Sequence, residues 1–193
     1  TSDIDLVDRD YSLAESHLYY FYTTIKNMNE FILKNSGDKN GETMEDDISG
    51  NIIPKFIEVM DDDFNTAAAI SELFGVFKYA NGLLKKANKN NRQQIANTFS
   101  KMLANLKEVY SIIGLLTQDP DEFINDMKNK YLKRLNISIE YIQDQINLRA
   151  EAKKVKDFDK ADAIRSNLDE KGIILNDTPN GVVWDIKALY NVE

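Results

Sequence analysis

The chain has 193 residues, of which 42% are hydrophobic and 29% are charged, and this composition is typical of a soluble globular protein rather than a disordered one. The sequence has no Cys and a single His, His17, which excludes disulfides and thiolate metal sites and leaves too few ligands for structural zinc. A net charge of −8 argues against indiscriminate nucleic-acid binding. No apolar run is long enough to span a bilayer, which predicts a cytoplasmic protein without a membrane partner.

The first predicted element is a long amphipathic helix. Ser12-Leu13-Ala14-Glu15 has the capping-box pattern, and apolar residues follow at helical spacing to about Lys34. The next segment, 35–47, is polar and contains two Gly residues, so we expect a mobile loop there.

Three further helices are predicted before residue 117. The second begins near Ile53 with Pro54 in its first turn, and the third follows Asn65, a good N-cap residue. The fourth runs from about Asn91 and ends near Gly114, which suits a C-terminal cap. Four amphipathic helices joined by short loops predict an antiparallel helical bundle.

The remaining chain is predicted to form one more helix and then a small α/β domain. A break at Thr117-Gln118-Asp119-Pro120 precedes this helix, and the domain boundary is expected near Asn136. Two helices and a β-hairpin should follow: 138–156, 159–170, and the strands Ile173-Ile174-Leu175 and Val182-Val183-Trp184 around the turn Thr178-Pro179-Asn180-Gly181. The predicted fold is therefore mainly α, with a leading helix and loop in 1–47, a bundle in 48–135 and a small α/β domain in 136–193.

One region departs from the acidic average. Between Leu73 and Lys107 there are seven basic residues and no acidic one. Lys78, Lys85 and Lys89 fall on one line of the predicted third helix, a geometry that can follow a phosphate backbone. An ordinary solvated lysine face is the alternative, and the pattern alone does not decide between them.

No catalytic or metal site is predicted within the chain. Asp61-Asp62-Asp63 are consecutive, so their side chains converge on a cation only if a loop bends them together, and they suit the positive end of the next helix better. His17 has no candidate nucleophile or orienting pattern beside it.

The segment from Leu148 to Arg165 interleaves basic residues, carboxylates and one aromatic residue across a helix-turn-helix. Unstacked RNA bases are bound by this mixture, because aromatic faces stack on bases, Lys and Arg hold phosphates, and Asp accepts hydrogen bonds from amino groups. In the alternative interpretation, Phe158 and Trp184 are core residues of a small domain and the charges are its solvated surface.

The chain from this segment through Trp184 resembles the C-terminal signature of cysteinyl-tRNA synthetases. The resemblance depends on order and spacing in these residues: Arg149, Ala152-Lys153, Lys156-Asp157-Phe158, Ala161-Asp162-Ala163-Ile164-Arg165, Leu168, Gly172-Ile173, Leu175, Asp177, Gly181 and Trp184. Met60-Asp61-Asp62-Asp63-Phe64-Asn65-Thr66 is similar to the start of the DALR-type helical bundle of that family, and Ile113-Gly114-Leu115-Leu116 to its end.

The resemblance implies that the chain binds tRNA(Cys), with the small domain reading the anticodon and the bundle lying along the tRNA. The anticodon-binding positions carried over by motif are Lys153, Phe158, Asp162 and Asp177. Lys153 stands where the family more usually has Arg, and Phe158 where it often has Trp. The residues expected to contact the tRNA backbone are Lys78, Lys85, Lys89, Arg149 and Arg165.

The catalytic motifs of that family are absent, since there is no His-x-Gly-His pattern, no Lys-Met-Ser-Lys-Ser pattern and no Cys for a zinc site. The chain begins with Thr1, and we expect a piece of a longer ATP-dependent cysteine–tRNA ligase, inactive alone and partnered by its own N-terminal catalytic domain. The resemblance implies no cofactor in this chain and places ATP and zinc in that catalytic domain. Two alternatives are a DALR-type domain of another class I synthetase, such as the arginyl or methionyl enzyme, and a helical protein-interaction module.

Overall fold

A computed structural model of the chain describes residues 8–38, 40–45, 48–178 and 181–190. The helices of these residues are α1 (Asp8–Asn35), α2 (Ile52–Asp61), α3 (Thr66–Lys86), α4 (Arg92–Tyr110), α5 (Pro120–Leu135), α6 (Ile139–Lys154) and α7 (Phe158–Glu170). Strands β1 (Ile173–Thr178) and β2 (Gly181–Ile186) form an antiparallel pair, and a 3-10 helix (Lys187–Tyr190) follows. The predicted fold class, mainly α with a small α/β end, is confirmed. None of the helices in the described ranges is long and apolar enough to cross a membrane.

The described residues form two compact units. One, the bundle unit, comprises Phe21–Glu122, and the other, the hairpin unit, comprises the described parts of Thr1–Tyr20 and Phe123–Glu193. These packing units differ in extent from the ranges 48–135 and 136–193, because the start of α1 and most of α5 pack within the hairpin unit. The sequence domains themselves stay a prediction.

The bundle unit buries the apolar stripes that the helical periodicity predicted. In α1, the ring of Phe21 stacks on Phe77 with centroids 5.0 Å apart and meets Phe74 edge-on at 4.7 Å. Helix α2 packs against α3 and α4. Fully buried side chains of α3 and α4 fill the centre: Leu73, Phe77, Ile95, Phe99 and Met102. The core of this unit therefore follows from the 3.6-residue period of its helices.

The segment between α1 and α2 is anchored to α4 where it is described. The backbone N–H of Asp38 donates to Asn97 Oδ1 at 2.8 Å, and Asn97 Nδ2 donates to the carbonyl oxygen of Glu42 at 2.7 Å. The N–H of Met44 donates to Thr98 Oγ1 at 2.9 Å. The expectation of a mobile loop did not include this anchoring, because the polar composition of a segment does not show which buried polar groups elsewhere will bond to it.

Helix α3 ends at Lys86, so the prediction that Lys89 lies on that helix is wrong. Ala87 has an extended backbone, with φ −63° and ψ 133°. The side chain of Asn91 donates to the carbonyl oxygen of Lys86 at 3.2 Å and accepts from the N–H of Asn88 at 2.8 Å. Asn side chains compete with the helical backbone for these hydrogen bonds, which is why the helix stops before the third lysine.

The predicted capping box at the start of α1 is also wrong, because the helix begins before Ser12 and Glu15 lies inside it. The carboxylate of Glu15 instead accepts hydrogen bonds from Lys130, from Tyr131 at 2.9 Å and from Arg134 at 3.1 Å, all on α5. Burial works to raise the pKa of Glu15, but the bonds from Lys130 and Tyr131 and the charge of Arg134 outweigh it and lower the pKa. Glu15 therefore joins α1 to α5 within the hairpin unit.

The β-hairpin that the sequence predicted is confirmed, with its turn residues 179 and 180 outside the described ranges. The facing pairs on one side are Ile173–Ile186, Leu175–Trp184 and Asp177–Val182. Ile173, Leu175 and Ile186 are buried, and β1 packs on α7. Because side chains alternate along a strand, Asp177 continues the same face toward the hairpin tip.

The other end of the hairpin is fixed by a buried carboxylate, Asp185. Tyr19 and Tyr190 donate to its two oxygens at 2.5 and 3.0 Å. The Nζ atom of Lys128 on α5 lies 3.6 Å from the same carboxylate. It also donates to the carbonyl oxygen of Trp184 at 2.9 Å and lies 4.7 Å from the centroid of the Trp184 ring. Lys128 therefore holds both Asp185 and the partly buried Trp184 at this end of the hairpin.

Candidate nucleic-acid interface

The turn between α6 and α7 determines how the candidate site is presented. Lys156 has a left-handed backbone with φ 64°, and the N–H of Asp157 donates back to the carbonyl oxygen of Ala152 at 2.9 Å. The side chain of Asp157 then caps α7 by accepting from the N–H of Lys160 at 3.1 Å. This tight turn places Phe158 at the first position of α7.

Phe158 is 59% exposed, although a lone aromatic residue in a small domain more often packs into its core. The interpretation of Phe158 as a core residue is therefore wrong, whereas Trp184 is partly buried and has the Lys128 cation over its ring. An exposed ring at the start of a helix is free to stack on a planar ligand.

Arg149 is the one cation of the candidate site that is buried, with only 4% of its surface exposed. It continues the apolar stripe of α6, three residues after Ile146. Its two terminal nitrogens donate to the two carboxylate oxygens of Asp177, both at 2.9 Å. Within the described residues its Nε makes no hydrogen bond. The prediction that Arg149 contacts the tRNA backbone is not favoured by this geometry, because its guanidinium faces Asp177 and not solvent.

Lys153 lies one helical turn beyond Arg149 and is 3.4 Å from each oxygen of Asp177. The hydrogen bonds from Arg149 lower the pKa of Asp177 far below its ordinary value, burial opposes them, and the charge of Arg149 and the contact with Lys153 add to the lowering. Asp177 is half-exposed and therefore remains an ionised, acceptor-only group at neutral pH. Two cations and one anion leave the trio with a net charge of +1.

Asp162 and Arg165 follow Phe158 at four and seven residues along α7, so the three side chains share one face of the helix. All three are exposed, and the charge of Asp162 contributes to raising the pKa of Arg149. Arg165 borders a shallow hollow of about 450 Å³ beside Ile174 and Leu175 of the hairpin. The structure thus brings Lys153 and Asp177 into contact and aligns Phe158 with Asp162.

The three lysines predicted to hold the tRNA backbone lie in the bundle unit. Lys78 and Lys85 are exposed on α3, two turns apart on one face, and Lys89 is exposed in the turn after α3. Among the residues that the structure describes, no group of three or more His, Asp or Glu side chains is placed to hold a metal ion.

The residue whose role sequence reasoning missed is Arg149. A signal was present, because Arg149 falls on the apolar stripe of α6 with Ile142 and Ile146. A guanidinium on an apolar stripe needs a buried or half-buried acceptor, and this predicts a carboxylate partner. The pattern does not name that partner, since Asp177 lies 28 residues away.

Among the comparisons with known proteins, the family model of the DALR domain matches residues 55–117. This range runs from α2 to just before α5, so the similarity to DALR domains lies within the bundle unit.

Over its wider length the chain resembles cysteine–tRNA ligases. The one from Geotalea uraniireducens is 30% identical over 196 residues, covering 96% of this chain and 40% of that protein. The ligase from Geobacter metallireducens is 32% identical over 96% of this chain and 38% of its own length, and that from Syntrophotalea carbinolica is 36% identical over 95% and 37%. The chain therefore spans about two fifths of the curated relatives it matches, and the resemblance to the C-terminal part of cysteinyl-tRNA synthetases is confirmed.

Proposed function

We propose that this chain is the tRNA-binding part of a cysteine–tRNA ligase, in which the hairpin unit reads the anticodon of tRNA(Cys). The observation that carries the proposal is the half-exposed carboxylate of Asp177, held by two cations on a hairpin whose neighbouring helix exposes Phe158. A carboxylate repels phosphate, so it is useful beside RNA only where it faces base edges.

The chemistry of these side chains suits the cysteine anticodon GCA, because G, C and A each carry an exocyclic amino group. Asp162 and Asp177 accept hydrogen bonds from amino groups, and Phe158 offers a stacking face to an unstacked base. Lys153 compensates the charge of Asp177 and remains half-exposed, so it can also approach the phosphate or a base acceptor.

The bundle unit holds the tRNA backbone in this proposal. Lys78, Lys85 and Lys89 lie in a stretch of the sequence without acidic residues, so their own segment adds no negative charge that would repel phosphate. Arg165, exposed on α7, adds a backbone contact beside the anticodon site.

The parent protein, in this proposal, uses ATP to attach cysteine to tRNA(Cys); the relatives are named cysteine–tRNA ligases. ATP, zinc and cysteine are bound by the catalytic domain, which is the partner of this chain in the same protein. This chain has no Cys and one His, so its own residues do not fit a zinc site of thiolates.

The test of the proposal is to replace Phe158 by Ala and measure affinity for a tRNA(Cys) transcript at fixed salt. Loss of one stacking face should weaken binding by about 1–3 kcal/mol, or roughly 5- to 150-fold. Because the ring is exposed, the thermal unfolding temperature should barely change. The matched control is Ile112→Ala, which removes a 74% exposed apolar side chain of the bundle unit and should leave affinity unchanged. Equal affinities of wild type and Phe158→Ala would refute the anticodon role of the hairpin unit.

A further inference from the structure

Arg149 occupies a position where a guanidinium is not needed for packing. It sits on the buried stripe of α6 with Ile142 and Ile146, and an aliphatic side chain there would be buried without loss of hydration. Arg149 gives up nearly all of its contact with water and leaves its Nε unbonded within the described residues. What the guanidinium gains is a two-bond contact with a carboxylate that is itself half-exposed.

The two hydrogen bonds from Arg149 fix the orientation of the Asp177 carboxylate as well as its distance. A single cation holds a carboxylate at a point and lets it rotate, whereas the planar fork of Arg fixes both oxygens and the plane in which they lie. Lys153 approaches both oxygens at 3.4 Å as a point charge and imposes no plane. The orientation of Asp177 is therefore set by Arg149.

Each oxygen of Asp177 accepts a hydrogen bond from Arg149 at 2.9 Å and a longer one from Lys153 at 3.4 Å, and the Asp177 side chain is still 51% exposed. A base amino group arriving at the hairpin tip thus meets acceptors with a fixed direction. We infer that Arg149 is a positioning residue for anticodon reading, which sets the plane of Asp177 without touching the RNA. This inference rests on the proposed function and names Arg149 as the residue on which the specificity of anticodon recognition depends.

The experiment compares Arg149→Lys, which keeps the charge and removes the fork, with the wild-type chain. Affinity is measured for a tRNA(Cys) transcript with the GCA anticodon and for one with a substituted anticodon, across a salt series. Arg149→Lys should lower the preference for GCA about tenfold, the scale of one base contact. Affinity for the substituted transcript and its salt slope should stay unchanged, because no phosphate contact is lost. The control Arg134→Lys alters an arginine–glutamate pair of the same unit and should keep the full preference.

A second readout does not depend on RNA. The side-chain carboxyl carbon of Asp177, followed by NMR in the free chain, should titrate at higher pH in Arg149→Lys than in wild type. If Arg149→Lys does not fold, Asp177→Glu serves instead, since it keeps the charge at a half-exposed site and displaces the carboxylate by one methylene. It should show the same loss of preference.

Two results would overturn the inference: a folded Arg149→Lys with full preference, or an equal loss of affinity for both transcripts, which would mark Arg149 as an RNA contact that does not depend on the anticodon sequence. Full preference in Asp177→Glu would overturn it as well. If the proposed function itself is wrong, the wild-type chain will show no preference for the GCA anticodon, and the inference fails with it.

Discussion

A carboxylate beside RNA is tolerated only if its charge is compensated and its direction is useful. Asp177 meets both conditions, since Arg149 and Lys153 surround it and the pair with Arg149 is bidentate. The residue sits two positions beyond the buried Leu175 on the same face of β1, at the point where the hairpin leaves the core. Burial on one side and solvent on the other make it rigid and accessible at once.

For Asp177→Asn we expect two effects. The discrimination between the GCA anticodon and a changed one should narrow, because one acceptor becomes a donor, while binding to the changed tRNA stays the same or rises as a negative charge is removed. The free energy of unfolding should fall by about 1 kcal/mol, a value discounted for solvent because Asp177 is half-exposed. Binding at one salt concentration and chemical denaturation measure the two effects separately.

Circular dichroism must show that the Asp177→Asn chain is folded at the temperature of the binding assay. If the folded variant then loses affinity equally for both tRNAs, or for neither, Asp177 does not read a base.

At the scale of elements, the three lysines expected to hold the tRNA backbone do not lie on one helix, because α3 ends at Lys86. Lys78 and Lys85 share one face of α3, but Lys89 lies in the turn that Asn88 and Asn91 stabilise. A phosphate backbone is still within reach of such an arrangement, because a turn presents a lysine as readily as a helix does.

Replacing Lys78, Lys85 or Lys89 by Ala should weaken cognate and non-cognate tRNA alike and flatten the salt dependence of binding by about one unit for each lost contact. Equilibrium binding at a series of salt concentrations measures this slope. An unchanged slope in all three variants would favour a solvated lysine face instead.

A second element-scale feature is the connection between α1 and α2, which several polar side chains of α4 hold, Asn97 at two points. Asn97 is buried and bonds to the backbone of Asp38 and Glu42. A Cβ on Gly37 would lie 2.7 Å from the carbonyl oxygen of Ala96, so the segment runs too close to α4 for any other residue to fit without movement.

Asn97→Ala should therefore lower the free energy of unfolding by about 1–3 kcal/mol, because buried backbone groups lose their partners. The amide of Asp38 should also exchange faster with deuterium. Asn105→Ala is a suitable comparison, since the side chain of Asn105 donates one hydrogen bond, to the carbonyl of Ser49 at 3.0 Å. If Asn97→Ala leaves both the stability and the exchange of Asp38 unchanged, the anchoring contributes nothing.

At the scale of the whole molecule, the hairpin unit is built from two separate pieces of the chain, and the bundle unit is the continuous stretch between them. Helix α1 begins in the hairpin unit and continues into the bundle unit, and α5 begins in the bundle unit and continues into the hairpin unit. Each unit thus includes parts of both helices, so a cut near residue 136 would remove α5 and Glu15's partners from the hairpin unit.

The isolated chain should show no cysteine-dependent exchange of pyrophosphate with ATP, because the sequence contains neither of the synthetase catalytic motifs. The assay is run beside a full-length cysteine–tRNA ligase as positive control. Exchange by a preparation free of contaminating synthetase would contradict the proposal that catalysis belongs to another domain of the parent protein.

The sequence by itself determined the helices, the hairpin and the family resemblance. Helices and strands follow from periods of 3.6 and 2 residues, and those periods are local. The stripes of α3 and α4 and the alternation of β1 were therefore predictable, whereas the site positions Lys153, Phe158, Asp162 and Asp177 came from the family resemblance and stay a prediction.

Only the tertiary structure decided which of these residues face solvent and which face each other. The contact of Arg149 with Asp177 spans 28 residues, and that of Glu15 with Tyr131 spans 116. Such pairs depend on how α6 packs beside the hairpin and α1 beside α5, and a local pattern carries no information about that packing. The exposure of Phe158 was decided in the same way, because the turn through Lys156 places Phe158 at the first position of α7 and outside the core.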